Sequence, residues 1–151
     1  MARARILVVD DEPDILTALR VYLQGALGAD VVAVESGAAG LAELRKGPPV
    51  DVIVSDFRMP AMDGLQFLSK ARALAPDVPR IMLTAFPDMQ LAIKALNDAA
   101  ILQFLTKPVD PDRLLDIVQR TLAEARRTKA SRQALDQAAG ALARRDKAPS
   151  A

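Results

Sequence analysis

Cysteine and histidine are both absent from this sequence. The first absence excludes disulfides, thiolate metal sites and a cysteine nucleophile. The second excludes a Ser-His-Asp triad, a histidine-ligated zinc site and a role as a phosphohistidine carrier. Chemistry must come from carboxylates, hydroxyls and lysine, and hard oxygen donors of this kind favour Mg2+, Mn2+ or Ca2+. Aromatic residues are few: Phe57, Phe67, Phe86, Phe104 and Tyr22 are all there are. Leu, Ile, Val and Ala must therefore fill the core. With 51% of 151 residues apolar, there is enough for one domain with an appendage. No apolar run approaches the about 20 residues that span a bilayer. The N-terminus Met1-Ala2-Arg3-Ala4-Arg5 enters a short strand directly, without a cleavage site, so no signal peptide and a cytoplasmic location are expected.

Net charge is +1, but it is unevenly placed. Between Arg126 and Lys147 stand seven Lys or Arg against two Asp, a surplus of five that leaves the rest at minus four. A solvated helix surface is the simplest account of that run; a basic arm is the alternative.

Strand-like and helix-like segments alternate five times along the chain. The predicted strands are Arg5–Val9, Asp30–Val34, Val50–Ser55, Arg80–Thr84 and Ile101–Thr106. Runs such as Ile6-Leu7-Val8-Val9 are apolar without alternation, as strands buried on both faces are. The predicted helices cover Asp14–Leu27, capped by Asp14 and stopped by Gly28, then Ala38–Lys46, Gly64–Ala75 and Asp88–Asn97. A last one begins after Asp110-Pro111, with Asp110 as cap. This order predicts an α/β fold, a flavodoxin-like doubly wound five-stranded parallel sheet in the order 2-1-3-4-5. The last helix is expected to extend C-terminally. Residues 1–125 are read as the domain and 126–151 as a basic, Ala-rich helical extension or tail. Leu135, Ala138 and Leu142 keep a thin apolar stripe there, and Lys147–Ala151 looks frayed. The stripe is too short to force a coiled coil. A partly ordered tail, a helix that pairs with a partner or a second copy, and a linker to a further domain all stay open.

The polar residues collect at predicted strand ends. Asp10 and Asp11 follow the first strand, Asp56 ends the third, Thr84 the fourth and Lys107 the fifth. The C-terminal edge of a parallel sheet is where such folds bind ligands. Carboxylates gathered there repel one another unless a cation neutralises them. Phosphoryl transfer onto a carboxylate needs this set: a nucleophilic Asp, acids that hold a divalent ion, a lysine, and a hydroxyl for a phosphoryl oxygen. Singly, each residue has a plainer reading. An Asp after a strand is usually a cap, a Lys before Pro usually surface, and Phe104 core.

Four motifs together are recognisable: Val8-Val9-Asp10-Asp11-Glu12-Pro13, Ser55-Asp56-Phe57-Arg58-Met59-Pro60-Ala61-Met62-Asp63-Gly64, Met82-Leu83-Thr84-Ala85 and Phe104-Leu105-Thr106-Lys107-Pro108. From about Arg5 to Ala125 the chain resembles a response-regulator receiver domain, the CheY-like family of two-component signalling. That resemblance implies Asp56 as phosphoacceptor, and Asp11, Asp56 and the Arg58 backbone carbonyl as ligands of Mg2+, with Mn2+ as a substitute. It implies Asp10 in the outer shell, Lys107 on the acidic cluster and then the phosphoryl group, Thr84 as switch hydroxyl and Phe104 as switch aromatic. The Lys107-Pro108 bond is expected to be cis. The implied activity is a phosphorylation-activated switch that catalyses its own phosphotransfer and autodephosphorylation, not a turnover enzyme. The implied partners are a sensor histidine kinase or a histidine phosphotransfer protein, a downstream protein target, and in one reading a second copy; no membrane is implied. The sequence after the last predicted helix is short for a helix-turn-helix, so nucleic acid is disfavoured and a stand-alone switch is expected. The alternatives are a receiver within a longer regulator, such as a transcription factor or a cyclic-dinucleotide enzyme, and an aspartyl-phosphate phosphatase. The last would want Asp where Glu12 stands.

Some positions depart from the family. Arg58 lies two residues after Asp56 and Phe86 two after Thr84, where residues flank the phosphoryl group, so slow autodephosphorylation is expected. Phe104 replaces the commoner Tyr. Asn97-Asp98-Ala99-Ala100 lacks the usual Gly-Ala, which predicts an atypical corner before the fifth strand.

Overall fold

The predicted alternation is realised in a computed structural model that describes residues 3–85 and 88–146. The elements are β1 (Arg5–Val9), α1 (Pro13–Leu27), β2 (Asp30–Val34), α2 (Gly37–Lys46), β3 (Val52–Asp56), α3 (Gly64–Leu74), β4 (Arg80–Thr84), α4 (Met89–Ala99), β5 (Gln103–Thr106) and α5 (Pro111–Asp146). The five strands are parallel in the order β2-β1-β3-β4-β5. Side chains alternate across each strand. Ile6, Val8, Val52, Val54, Ile81 and Leu83 therefore join one core layer, with Leu16, Leu19 and Leu23 of α1 and Leu114, Val118 and Leu122 of α5. Leu7, Val9, Ile53 and Met82 join the other, with Leu41, Phe67, Leu68 and Ala95 from α2, α3 and α4. Double-sided burial explains why the middles of β1, β3 and β4 are apolar without alternation.

Strand and helix ends show where local signals competed. The cap of α1 is Glu12, not Asp14, and its side chain makes no cap hydrogen bond. Pro13 takes the first helical position: it has no N–H to satisfy and its fixed φ suits a helix start. Asp14 instead lies in the first turn, where the helix dipole favours a negative charge. Gly28 stops α1 at φ 60°, as expected. Asp110 does cap α5: its Oδ1 accepts the Asp112 N–H at 3.1 Å. The third strand starts and ends later than predicted, at Val52 and Asp56, and the fifth starts at Gln103. Helix α4 runs on to Ala99, and Ala100 terminates it with φ 47°. The Lys107–Pro108 bond is cis. Helix α5 is continuous for 36 residues, and every described side chain from Arg126 to Ala139 is exposed. The fraying expected of Lys147–Ala151, and the reading of Phe86, fall outside the described residues.

Candidate functional site

Strand register carries the polar residues to one edge. Val9 of β1 lies opposite Ser55 of β3, and Asp56 lies opposite Leu83 of β4. Thr84, at the next step of β4, lies opposite Thr106 of β5. Asp10 and Asp11 therefore leave β1 beside Asp56, and Lys107 leaves β5 just past Thr84. The Lys107 N–H donates to the Thr84 carbonyl at 2.8 Å, which fixes where the lysine side chain begins.

Asp10, Asp11 and Asp56 each place a carboxylate oxygen within 4.8 Å of the other two. Asp10 is fully buried and Asp56 nearly so, at 5% exposure, while Asp11 is half-buried. The Lys107 Nζ bridges the pair, 3.1 Å from Asp10 Oδ2 and 3.2 Å from Asp56 Oδ1. Asp10 Oδ1 also accepts the Glu12 N–H at 2.9 Å. Both oxygens of Asp10 are thus engaged within the protein, whereas Asp11 lines an open depression of about 460 Å³ with Phe57, Arg58, Met59, Pro60 and Asp63.

The loop after Asp56 is pinned from below. The Gly64 N–H donates to the Phe57 carbonyl at 2.7 Å. A Cβ on Gly64 would come within 2.8 Å of the Phe57 Cα, so only glycine lets α3 start this close to the loop. Asp63 closes a capping box with Gln66, at 2.8 and 3.0 Å. Ser55, buried beside Asp56, donates through Oγ to the Asp56 carbonyl at 3.0 Å.

Burial pushes the Asp56 carboxyl above the ordinary carboxylate range, and the Asp10 charge pushes the same way; Lys107 and the Phe57 N–H offset this only in part. For Lys107, burial is the largest single influence and acts downward. Hydrogen bonds and charge from Asp10, then Asp56, outweigh it and hold the ammonium above the usual lysine value. The centre is therefore a cluster of three acids with one lysine, rich in negative charge and built of hard oxygen donors. That donor set fits a divalent cation of the Mg2+ kind.

Thr84 is 2% exposed at the strand end, and Phe104 is half-buried on the α4 side of the sheet, opposite Met82. Arg58 is exposed on the rim of the depression. Two further residues received no role from the sequence. Glu12 brings Oε1 to 4.0 Å from Lys107 Nζ, a third carboxylate in reach of that ammonium. Arg80 is buried at the opposite edge of the sheet. Its signal was present: a lone arginine opens a buried strand whose next three residues are apolar.

Known proteins share this fold and much of this sequence. Residues 6–119 match the family model described as the response regulator receiver domain. The transcriptional regulatory protein ZraR of Salmonella typhimurium is 39% identical over 125 residues, which are 83% of this chain and 28% of that protein. The DNA-binding transcriptional regulator NtrC of Escherichia coli K12 is 37% identical over 123 residues, 82% of this chain and 26% of that protein. The chain thus spans about a quarter of the length of these relatives. Among solved structures, a CheY-like response regulator receiver domain protein from Methanospirillum hungatei superposes with a TM-score of 0.79 at 28% identity, covering 84% of this chain and 99% of that one. A match over most of its length, and the shared fold, establish that the chain belongs to the response regulator receiver family.

Proposed function

We propose that this receiver is switched by phosphorylation of Asp56. What carries the reading is the convergence of Asp10, Asp11 and Asp56 with the Lys107 ammonium, 3.1 Å from one acid and 3.2 Å from another. A carboxylate oxygen of Asp56 forms the new P–O bond as the P–N bond to a partner's phosphohistidine breaks, its electron pair leaving with the imidazole. These 151 residues contain no histidine, so the proposed donor is a phosphohistidine outside them, on a sensor histidine kinase or a histidine phosphotransfer protein. Asp11, Asp56 and the Arg58 carbonyl are the proposed ligands of Mg2+. Asp10, with both oxygens already engaged, suits an outer-shell role. Bound there, Mg2+ would supply positive charge for the carboxylate and phosphoryl oxygens. Lys107 then shifts from Asp56 towards the phosphoryl group, and Thr84 donates its hydroxyl to it. The half-buried Phe104 turns inward, and the surface of α4, β5 and α5 changes for a downstream protein. Labelling by a small phosphodonor is expected to require Mg2+ and to vanish in Asp56→Asn; labelling that persists in that variant would refute the assignment.

The acyl phosphate is proposed to be long-lived, with the exposed Arg58, which lines the depression together with Asp11, restricting attacking water. Its decay in purified protein should take minutes or longer and speed up in Arg58→Ala. A lifetime of seconds in the unaltered protein would overturn this.

A second reading concerns the setting, not the chemistry. The matched relatives are transcriptional regulators about four times as long as the shared segment. That length difference favours a receiver working as one module of a longer regulator over one working alone.

A further inference from the structure

One end of α4 is held by two arginines that the phosphoryl chemistry does not use. A helix leaves its last four carbonyls without intrahelical partners. Here Arg72 Nη1 donates to the Asn97 carbonyl at 3.3 Å and Arg80 Nε to the Ala99 carbonyl at 2.8 Å. The rest of the buried Arg80 guanidinium turns into the loop between α3 and β4. Its Nη1 donates to the Val78 carbonyl at 2.9 Å, with those of Ala75 and Pro76 at 3.3 and 3.4 Å. A guanidinium is planar and presents its donors in a fixed fork, so this one group sets how α4's end sits against residues 75–79. The Arg80 carbonyl also accepts the Leu102 N–H at 2.9 Å. Between these contacts Ala100 adopts φ 47°, a conformation that alanine holds only where its surroundings over-determine it.

The same loop carries Asp77, whose Oδ2 lies 3.2 Å from Nη1 of Arg132 on α5. Arg132 continues the helix stripe that packs on the sheet, through Leu114, Val118, Thr121 and Ala125, and follows Ala125 by about two turns. The pair therefore sits about two turns beyond the point where α5 loses its burial. Both side chains are well exposed, at 61% and 75%, so the pair is weak and weakens further with salt. It is a latch weak enough to open.

We propose that residues 75–79 form a joint that ties the direction of the α5 extension to the C-terminal end of α4, through Arg80 on one side and Asp77–Arg132 on the other. A displacement of α4's end moves the carbonyls that Arg80 bridges, moves the loop, and redirects the extension. By reciprocity, a partner that holds the extension biases α4.

The absence of cysteine makes the test clean, since Lys46→Cys and Gln137→Cys give the full chain its only two spin-label sites. Both positions are exposed, one at the end of α2 and one on the extension. Asp77→Arg should broaden the distance distribution between the labels, as should molar salt. Adding Arg132→Asp to Asp77→Arg should narrow it again. Arg80→Lys keeps the charge, loses the fork and does not touch the extension, yet it should broaden the distribution too. A distribution unmoved by Asp77→Arg, or not restored by the swap, overturns the latch; one unmoved by Arg80→Lys overturns the link to α4. The signalling use of the joint rests on the phosphoryl reading. Mg2+ with beryllium fluoride, its binding followed by fluorine NMR, should shift the distribution in the reference protein and not in Asp77→Arg. A bound mimic without a shift overturns the coupling. A mimic that does not bind overturns the phosphoryl reading instead and leaves the charge swap to decide on the joint.

Discussion

Asp56, the proposed acceptor, is kept at some cost to the fold. Its carboxylate is buried beside Asp10, and one lysine is shared between the two. Burial and like charge both disfavour its ionised form, so in the absence of cation the charge destabilises the native state. Asp56→Asn keeps the shape and removes the charge, while Lys107 retains Asp10 as partner. In chelator at neutral pH the variant should melt at a higher temperature than the parent. Mg2+ should raise the melting temperature of the parent and barely move that of the variant. A variant that melts lower than the parent in chelator would show that Lys107 needs both acids. Much of this site was legible in the sequence, because each residue stands at a strand end and the parallel sheet does the gathering. Glu12's approach to Lys107 was not, since it depends on side-chain reach across two loops.

At the scale of elements, the legible parts were those fixed by period and by proline or glycine. The apolar runs gave the strands, and Gly28 the end of α1. One misreading was local, the α1 cap, which Pro13 moves to Glu12; another depended on contacts distant in sequence. Helix α4 extends past its predicted end because Arg72 and Arg80 satisfy its last carbonyls, which no local signal announces. The missing Gly-Ala before β5 did mark that corner as unusual, and Ala100 shows how. A second distant contact joins α1 to α5: the Tyr22 hydroxyl donates to Asp112 Oδ1 at 2.8 Å, 90 residues away in sequence. That hydrogen bond to Asp112, then burial, then the charges of Asp112 and Asp110, raise the phenol's pKa. The folded-state value therefore lies above the unfolded one. The contribution is fully present below the unfolded phenol pKa and is lost as pH rises through the folded value. Tyr22→Phe should lower the melting temperature slightly at neutral pH, and the gap between variant and parent should close at strongly alkaline pH. Melting curves across that range would check it, and a gap that widens with pH would reverse the sign argued here.

For the whole molecule, the question is where the cooperative unit ends along α5. Leu114, Val118 and Leu122 are buried in the core, and Thr121 with them. From Arg126 to Ala139 every described side chain is exposed, including Leu135 at 69%. An exposed helix of this length is only marginally stable by itself. Its charge also differs from that of the domain, basic against the acidic remainder. Among the described residues, the ion pair that joins it to the rest is Arg132–Asp77, and an exposed pair contributes at most about 1 kcal/mol. Truncation after Ala125 should therefore shift the melting temperature by no more than about 4 °C. It should also leave Mg2+-dependent labelling of Asp56 intact. A larger loss, accompanied by a concentration-dependent melting temperature in the full chain, would mean that the Leu135 and Leu142 stripe is buried against a second copy and that the folded unit is the pair. Retained stability with lost labelling would place part of the acceptor chemistry under the control of the extension, which the joint at Asp77 and Arg80 gives it a route to exert.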